Sequence, residues 1–181
     1  MWHSFRVLAL LFAITLGPSP SAAEPWQAVN TDGLGFAIEM PGNPKVEEQD
    51  IDLGEGKSAK MRTIQMLSPN AIFDVTIADY PAGMTQSLGP DTMLDNARDG
   101  ALANAPGPLK SESKVVFAGQ PARELLVDMT MGMTLRSYIF LVQDRLYIIG
   151  AITRNGTERS ADIEKYFGSF AIDKAGSIAK P

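Results

Sequence analysis

Met129, Met131 and Met133 recur at every second position of Met129-Thr130-Met131-Gly132-Met133. In an extended strand that spacing places three thioethers on one face, and thioethers are soft ligands suited to Cu(I). Gly132 supports a second reading, a hairpin turn near Met131 with Met129 and Met133 filling gaps in a core. We favour the turn and keep the three methionines as a weak Cu(I) candidate. Met61 and Met66 add ligands only if the fold brings them alongside.

Carboxylates supply the other chemistry. The run from Glu47 to Glu55 is rich in acids, but its spacing lacks the glycine at position 6 and the glutamate at position 12 of a calcium loop. On a strand, Glu48, Asp50 and Asp52 face solvent together, and such an acidic edge discourages edge-to-edge pairing. Asp128, Glu124 and Asp144 are candidates for the paired carboxylates of acid–base hydrolysis, though no spacing singles out a pair. Arg123 and Arg136 are placed to meet acids on neighbouring strands. That is cross-strand ion pairing or, alternatively, an Arg-lined site for an anionic ligand. Asp128 belongs to the same candidate set.

Nucleophilic and metal chemistry is narrowed by what is missing. The chain has no cysteine, and its one histidine is His3. Ser111-Glu112-Ser113-Lys114 matches a Ser-x-x-Lys spacing. It leads into a strand pattern, however, where residues three apart point to opposite faces. There is no Gly-x-Ser-x-Gly elbow and no glycine-rich phosphate loop. Asn155-Gly156-Thr157 is a formal sequon, relevant only in a eukaryotic secretory path.

His3 itself lies in a segment with the layout of a secretory signal peptide. Arg6 is followed by the apolar run Val7–Leu16, the breaker Gly17-Pro18 and the small residues Ser21-Ala22-Ala23. The run is about half the ~20 residues that span a bilayer. Residues 1–23 are therefore expected to be cleaved near Ala23, giving a periplasmic or secreted chain. Without paired arginines or a following cysteine, neither twin-arginine export nor a lipid anchor is expected. Cleavage removes the only histidine, and loss of Arg6 takes the net charge from −5 to −6. An acidic chain lacks the basic footprint of nucleic-acid binding. No second apolar stretch is long enough to cross a membrane.

The elements that must position these residues follow from periodicity. Alternation predicts a strand over Phe36–Met40, ended by Pro41-Gly42, and others over 46–53, 59–67 and 73–77. The pattern then changes to helical: Pro90 and Asp91 suit a helix start, with Leu94, Ala97, Ala101 and Ala105 on one stripe. Four strands follow, the first at Val115–Phe117 and the second at Arg123–Met129. The last two, over 135–142 and 146–152, are apolar on both faces, the mark of central strands covered on two sides. Ile163, Tyr166, Phe167 and Phe170 predict an amphipathic helix, with Asn155 and Glu158 as its cap and Gly168 at its end.

We read residues 24–173 as one α+β domain, a largely antiparallel β-sheet flanked by helices in an α/β/α sandwich. Residues 174–181 are read as a flexible tail. Gly119-Gln120-Pro121-Ala122-Arg123-Glu124, Arg136-Ser137-Tyr138, Asp144-Arg145-Leu146-Tyr147, Tyr166-Phe167-Gly168-Ser169-Phe170 and Phe36–Gly42 carry a resemblance. Together they resemble exported bacterial proteins of largely unknown function that share the PsbP/Mog1-like fold. The resemblance implies a binding or accessory role without enzyme activity. PsbP-type metal sites use histidines, which the mature chain lacks, so no functional residue carries over.

The expected function is therefore a non-catalytic, exported binding or accessory protein. Its partner is another protein or a small molecule of the cell envelope, and no cofactor is expected. A carboxylate-based hydrolase and a Met-type copper binder are the alternatives.

Overall fold

The computed structural model describes residues 25–54, 56–105 and 107–173. The segment read as a signal peptide and the tail from residue 174 lie outside the described residues. The elements run in the order β1 (Trp26–Ala28), β2 (Phe36–Ala37), β3 (Glu39–Pro41), β4 (Lys45–Gly54), β5 (Lys57–Leu67) and β6 (Ala71–Asp79). Two helices follow, α1 (Met84–Leu88) and α2 (Pro90–Asn104). Then come β7 (Leu109–Phe117), β8 (Gln120–Met129), β9 (Met133–Val142), β10 (Arg145–Arg154), α3 (Ala161–Ser169) and β11 (Ala171–Ile172).

Seven strands form one antiparallel sheet in the order β4-β5-β6-β10-β9-β8-β7. Two meanders, β4–β6 and β7–β10, meet where β6 pairs with β10. The chain between them crosses the sheet through α1 and α2, a long connection that a meander alone cannot make. The two-sided apolar strands are thus β9 and β10, inside the sheet, as their patterning requires.

The two faces are covered unequally, for reasons visible in residue size. On one face, α3 and the short ribbons β1–β3 and β2–β11 pack on Phe73, Val75, Ile77, Tyr138, Phe140, Tyr147 and Ile149. Phe117 stacks on Tyr138 with ring centroids 4.1 Å apart, and Phe140 stacks on Tyr147 at 5.0 Å. Such pairs are each worth about 0.5–1.5 kcal/mol beyond their buried area. Tyr166 of α3 is fully buried and donates its hydroxyl to the Asp74 carbonyl at 2.6 Å. On the other face, α2 presents Leu94, Ala97 and Ala101 to Ala78, Leu125, Ile139 and Leu146. Small side chains bury less area, so this second layer is the thinner one.

Several elements depart from the sequence expectation. The strand expected over Phe36–Met40 is split at Ile38. There the Ile38 carbonyl accepts from the Val29 N–H, and the Glu39 N–H donates to Ser169 Oγ at 3.0 Å. Those bonds replace the ladder, so β2 pairs with β11 while β3 pairs with β1. Helix α3 starts after Ser160, not Asn155, because the Asn155 side chain accepts from Thr134 Oγ and its N–H donates to the Gly132 carbonyl. It runs one residue past Gly168 to Ser169, and the short final strand is Ala171–Ile172. Helix α1 lacks a long apolar stripe and depends on tertiary support. The Asp144 carboxylate accepts the N–H groups of Gly83 and Thr85 at 2.7 and 2.8 Å. These bonds hold its carboxyl below the usual aspartate range.

Candidate functional site

The candidate arginines point to opposite faces. Arg123 on β8 lies on the α2 face and pairs with Glu112 of β7 at 2.8 Å, and with Asp95 and Asp91 of α2. Arg136 on β9 lies on the α3 face, 3% exposed. Its guanidinium donates to Glu124 at 2.8 Å, to Glu164 of α3 at 2.7 Å and to the Tyr138 hydroxyl. The Phe167 ring lies 4.8 Å below it. Burial pushes the Glu124 carboxyl up, but the hydrogen bonds and charge of Arg136, with Tyr138 and Arg159, outweigh it and hold the group below its ordinary value. Asp128 stands apart from both arginines, 3.5 Å from Lys110. Strand alternation therefore divides the set into two ion-paired networks that lock helices to the sheet.

The methionines fall on a hairpin. Met129 and Met133 are cross-strand partners at the end of β8 and β9. Met131 sits in the turn at φ 63°, 95% exposed. Met61 and Met66 are five residues apart on β5 and pack against opposite faces of the sheet. The acidic run forms the edge strand β4, where Glu48, Asp50 and Asp52 are exposed and Glu48 pairs with Arg62. Ser111 and Lys114 occupy β7, three residues apart on a strand.

A different constellation emerges from the thin cover of the α2 face. Helix α2 reaches Leu125, Ile139, Leu141, Leu146 and Ile148, so the ends of β5, β6 and β10 beyond it stay open. Ile72, Ile152 and Leu135 lie on this open area, half-buried and outside both cores, and Leu67 beside them is 59% exposed. Across it runs one register row: Gln65 on β5, Asp74 on β6, Gly150 on β10 and Ser137 on β9. Next to the row, Lys45, Glu47, Thr63 and Gln65 line a small groove of about 50 Å³.

Asp74 is the unusual member. Its carboxyl leans over Gly150, with an oxygen 2.5 Å from where a Cβ on that residue would stand. Burial raises it from 3.8 to about 6. No hydrogen bond or ion pair to its side chain exists among the described residues. The Ser137 hydroxyl, two strands away, is 2% exposed as a residue and also lacks a partner among the described residues. Asp74 as a whole is half-buried, so the shift reflects partial removal from water, and carboxyls shifted in this way concentrate at functional sites.

The sequence reading did not single out Asp74, Gly150 or Ser137. The available signal was Gly150 itself, an isolated glycine inside the apolar run 146–152. Such a glycine marks a close approach by another group. Which group approaches depends on the pairing of β6 with β10, 76 residues apart at Asp74 and Gly150, and pairing over that separation is not read from periodicity.

No protein-family model and no curated protein matches the chain. Among solved structures it is similar to the solution structure of cyanobacterial PsbP (CyanoP) from Synechocystis sp. PCC 6803. The TM-score is 0.49 and the identity 14%, covering 87% of this chain and 98% of that one. It is also similar to the crystal structure of a protein of unknown function from Pseudomonas aeruginosa. There the TM-score is 0.36 and the identity 11%, covering 67% of this chain and 79% of that one. Likenesses at this level bring no ligand, partner or residue role to the chain.

Proposed function

We propose that the chain is an exported, non-catalytic binding or accessory protein that works through the open area of the α2 face. In this reading residues 24–173 act as one α+β unit in the periplasm or outside the cell after cleavage near Ala23. The observation that carries it is the unequal cover of the sheet. Leu67, Ile72, Ile152 and Leu135 form the register row beside a carboxyl that has no protein partner among the described residues, where α2 does not reach. Apolar surface rimmed by polar groups is the common form of an interaction site.

The hydrolase alternative needs two carboxylates converging on one cleft. Asp74 stands alone in its row, and Glu124 is on the other face, neutralised by Arg136. Among the described residues no helix is long and apolar enough to cross a membrane.

The test is in-cell crosslinking of the tagged, exported protein, followed by mass spectrometry, with wild type beside Leu67→Lys. The proposal expects a repeatable partner or small molecule with wild type that is lost in the variant. Equal capture by both proteins places the interaction elsewhere and overturns this face as the site.

A further inference from the structure

The chemistry of the open face says what kind of group it lacks. Among the described residues Asp74 offers an anionic acceptor without a hydrogen-bond or ion-pair partner, and the Ser137 hydroxyl, two strands along the same row, is buried and unpaired. The register row on one side of Asp74 is aliphatic, Leu67, Ile72, Ile152 and Leu135, and the row on its other side is Thr63, Thr76, Ile148 and Ile139. The complementary group is a cation on an aliphatic stem, the chemistry of a lysine side chain. The adjoining groove of about 50 Å³ is far smaller than the 300–1,000 Å³ typical of small-molecule sites. An open sheet face with one exposed leucine suits a protein partner better.

We propose that this face docks a partner protein through a lysine side chain set between apolar residues, its ammonium at Asp74 and its stem on Leu67, Ile72 and Ile152. The proposal rests on the open face being the binding surface and adds the chemistry of the partner.

The charges around Asp74 leave that role vacant. On β4, Lys45 and Glu47 line the groove beyond β5, about two strand spacings or ~10 Å away. The facing positions of β5 are Thr63 and Gln65, and those of β10 and β9 are Ile148, Gly150, Ile152, Leu135 and Ser137. The charged side chains of α2 are engaged elsewhere: Asp91 and Asp95 with Arg123, and Arg98 with Asp95, Asp99 and Glu112. Beneath the sheet, α3 contributes the Tyr166 hydroxyl at the Asp74 carbonyl. No cation among the described residues pairs with Asp74, so an incoming ammonium displaces nothing.

The experiment is an amide NMR titration of the intact mature protein with acetyl-Leu-Lys-Leu-amide, and with its glutamate and norleucine counterparts, at millimolar peptide. The lysine peptide is expected to shift the amides of Leu67, Asp74, Gly150 and Ser137, and the other two are not. Asp74→Asn and the surface variant Leu67→Lys should each abolish the shifts. Affinity should fall about tenfold from pH 7 to pH 5 as the carboxyl takes a proton. Equal shifts with all three peptides keep the face as a binding surface but overturn the lysine assignment. No shifts with any peptide also overturn the assignment, while partner capture in cells decides the broader reading separately.

Discussion

The carboxyl of Asp74 occupies the space that a side chain on Gly150 would fill, one strand away in the sheet, with an oxygen 2.5 Å from the Cβ position. A glycine in the central strand of the sheet thus leaves room for an acid that no protein hydrogen bond or ion pair holds among the described residues. Glycine in a strand interior forgoes packing and adds entropy loss. Both costs point to a site whose composition serves something other than stability.

Replacing Gly150 with alanine is expected to push the Asp74 carboxyl outward, because the new methyl and the carboxyl oxygens cannot share that space. The backbone at residue 150 is not in the left-handed region, so alanine itself is tolerated. The Asp74 titration midpoint should move down from about 6 toward 3.8. Carboxyl NMR titration of wild type and variant checks this, and an unmoved midpoint contradicts it.

Asp74 also sets a pH dependence of stability. Its folded value of about 6 lies above its unfolded value near 3.8, so below pH 3.8 both states are protonated and no penalty exists. As pH rises from 3.8 to 6 the unfolded state ionises first, and stability is lost. Above pH 6 the loss is constant, up to about 3 kcal/mol for a shift of about two units. Asp74→Asn should remove that slope and be the more stable protein at pH 7. Urea unfolding at pH 4, 5, 6 and 7 reads both.

On the opposite face, Arg136 is expected to be indispensable. Arg136→Met removes the buried cation shared by Glu124 and Glu164 next to Phe167 and leaves them only the exposed Arg159. Breaking one side of a buried pair costs about 3–5 kcal/mol. Adding Glu124→Gln to the variant should recover a large part of that loss. A double-mutant cycle in denaturant measures the coupling, and additive effects argue against it.

Met131 carries a small, opposite prediction. It holds φ 63° while 95% exposed. A left-handed conformation costs a non-glycine residue about 1–2 kcal/mol, partly offset by the unfolded-state entropy of glycine. Met131→Gly should therefore be neutral or stabilising by up to about 1 kcal/mol in thermal unfolding. A clear loss of stability instead assigns the side chain a packing role.

Periodicity made most of the framework legible. The four-strand meander, the two-sided apolar strands and the helix start at Pro90 follow from local patterns, which the chain obeys where burial is strong. The split at Ile38 was not legible, because it depends on Val29 and Ser169 taking over the backbone bonds. The α3 start was missed because Asn155 and Glu158 mimic a cap, while Asn155 is engaged by Thr134. The open area escaped for a similar reason. Asp74 looks like an ordinary polar position between Phe73 and Val75 until β10 is laid beside it and α2 stops short.

The most direct test is position-resolved photocrosslinking in cells. A photoreactive residue is placed either at Leu67, on the open area, or at Leu88 of α1, which is comparably exposed. A discrete adduct is expected from position 67 that disappears on adding Asp74→Asn, and none from position 88. Adducts from position 88 alone, or from position 67 regardless of Asp74, would contradict it.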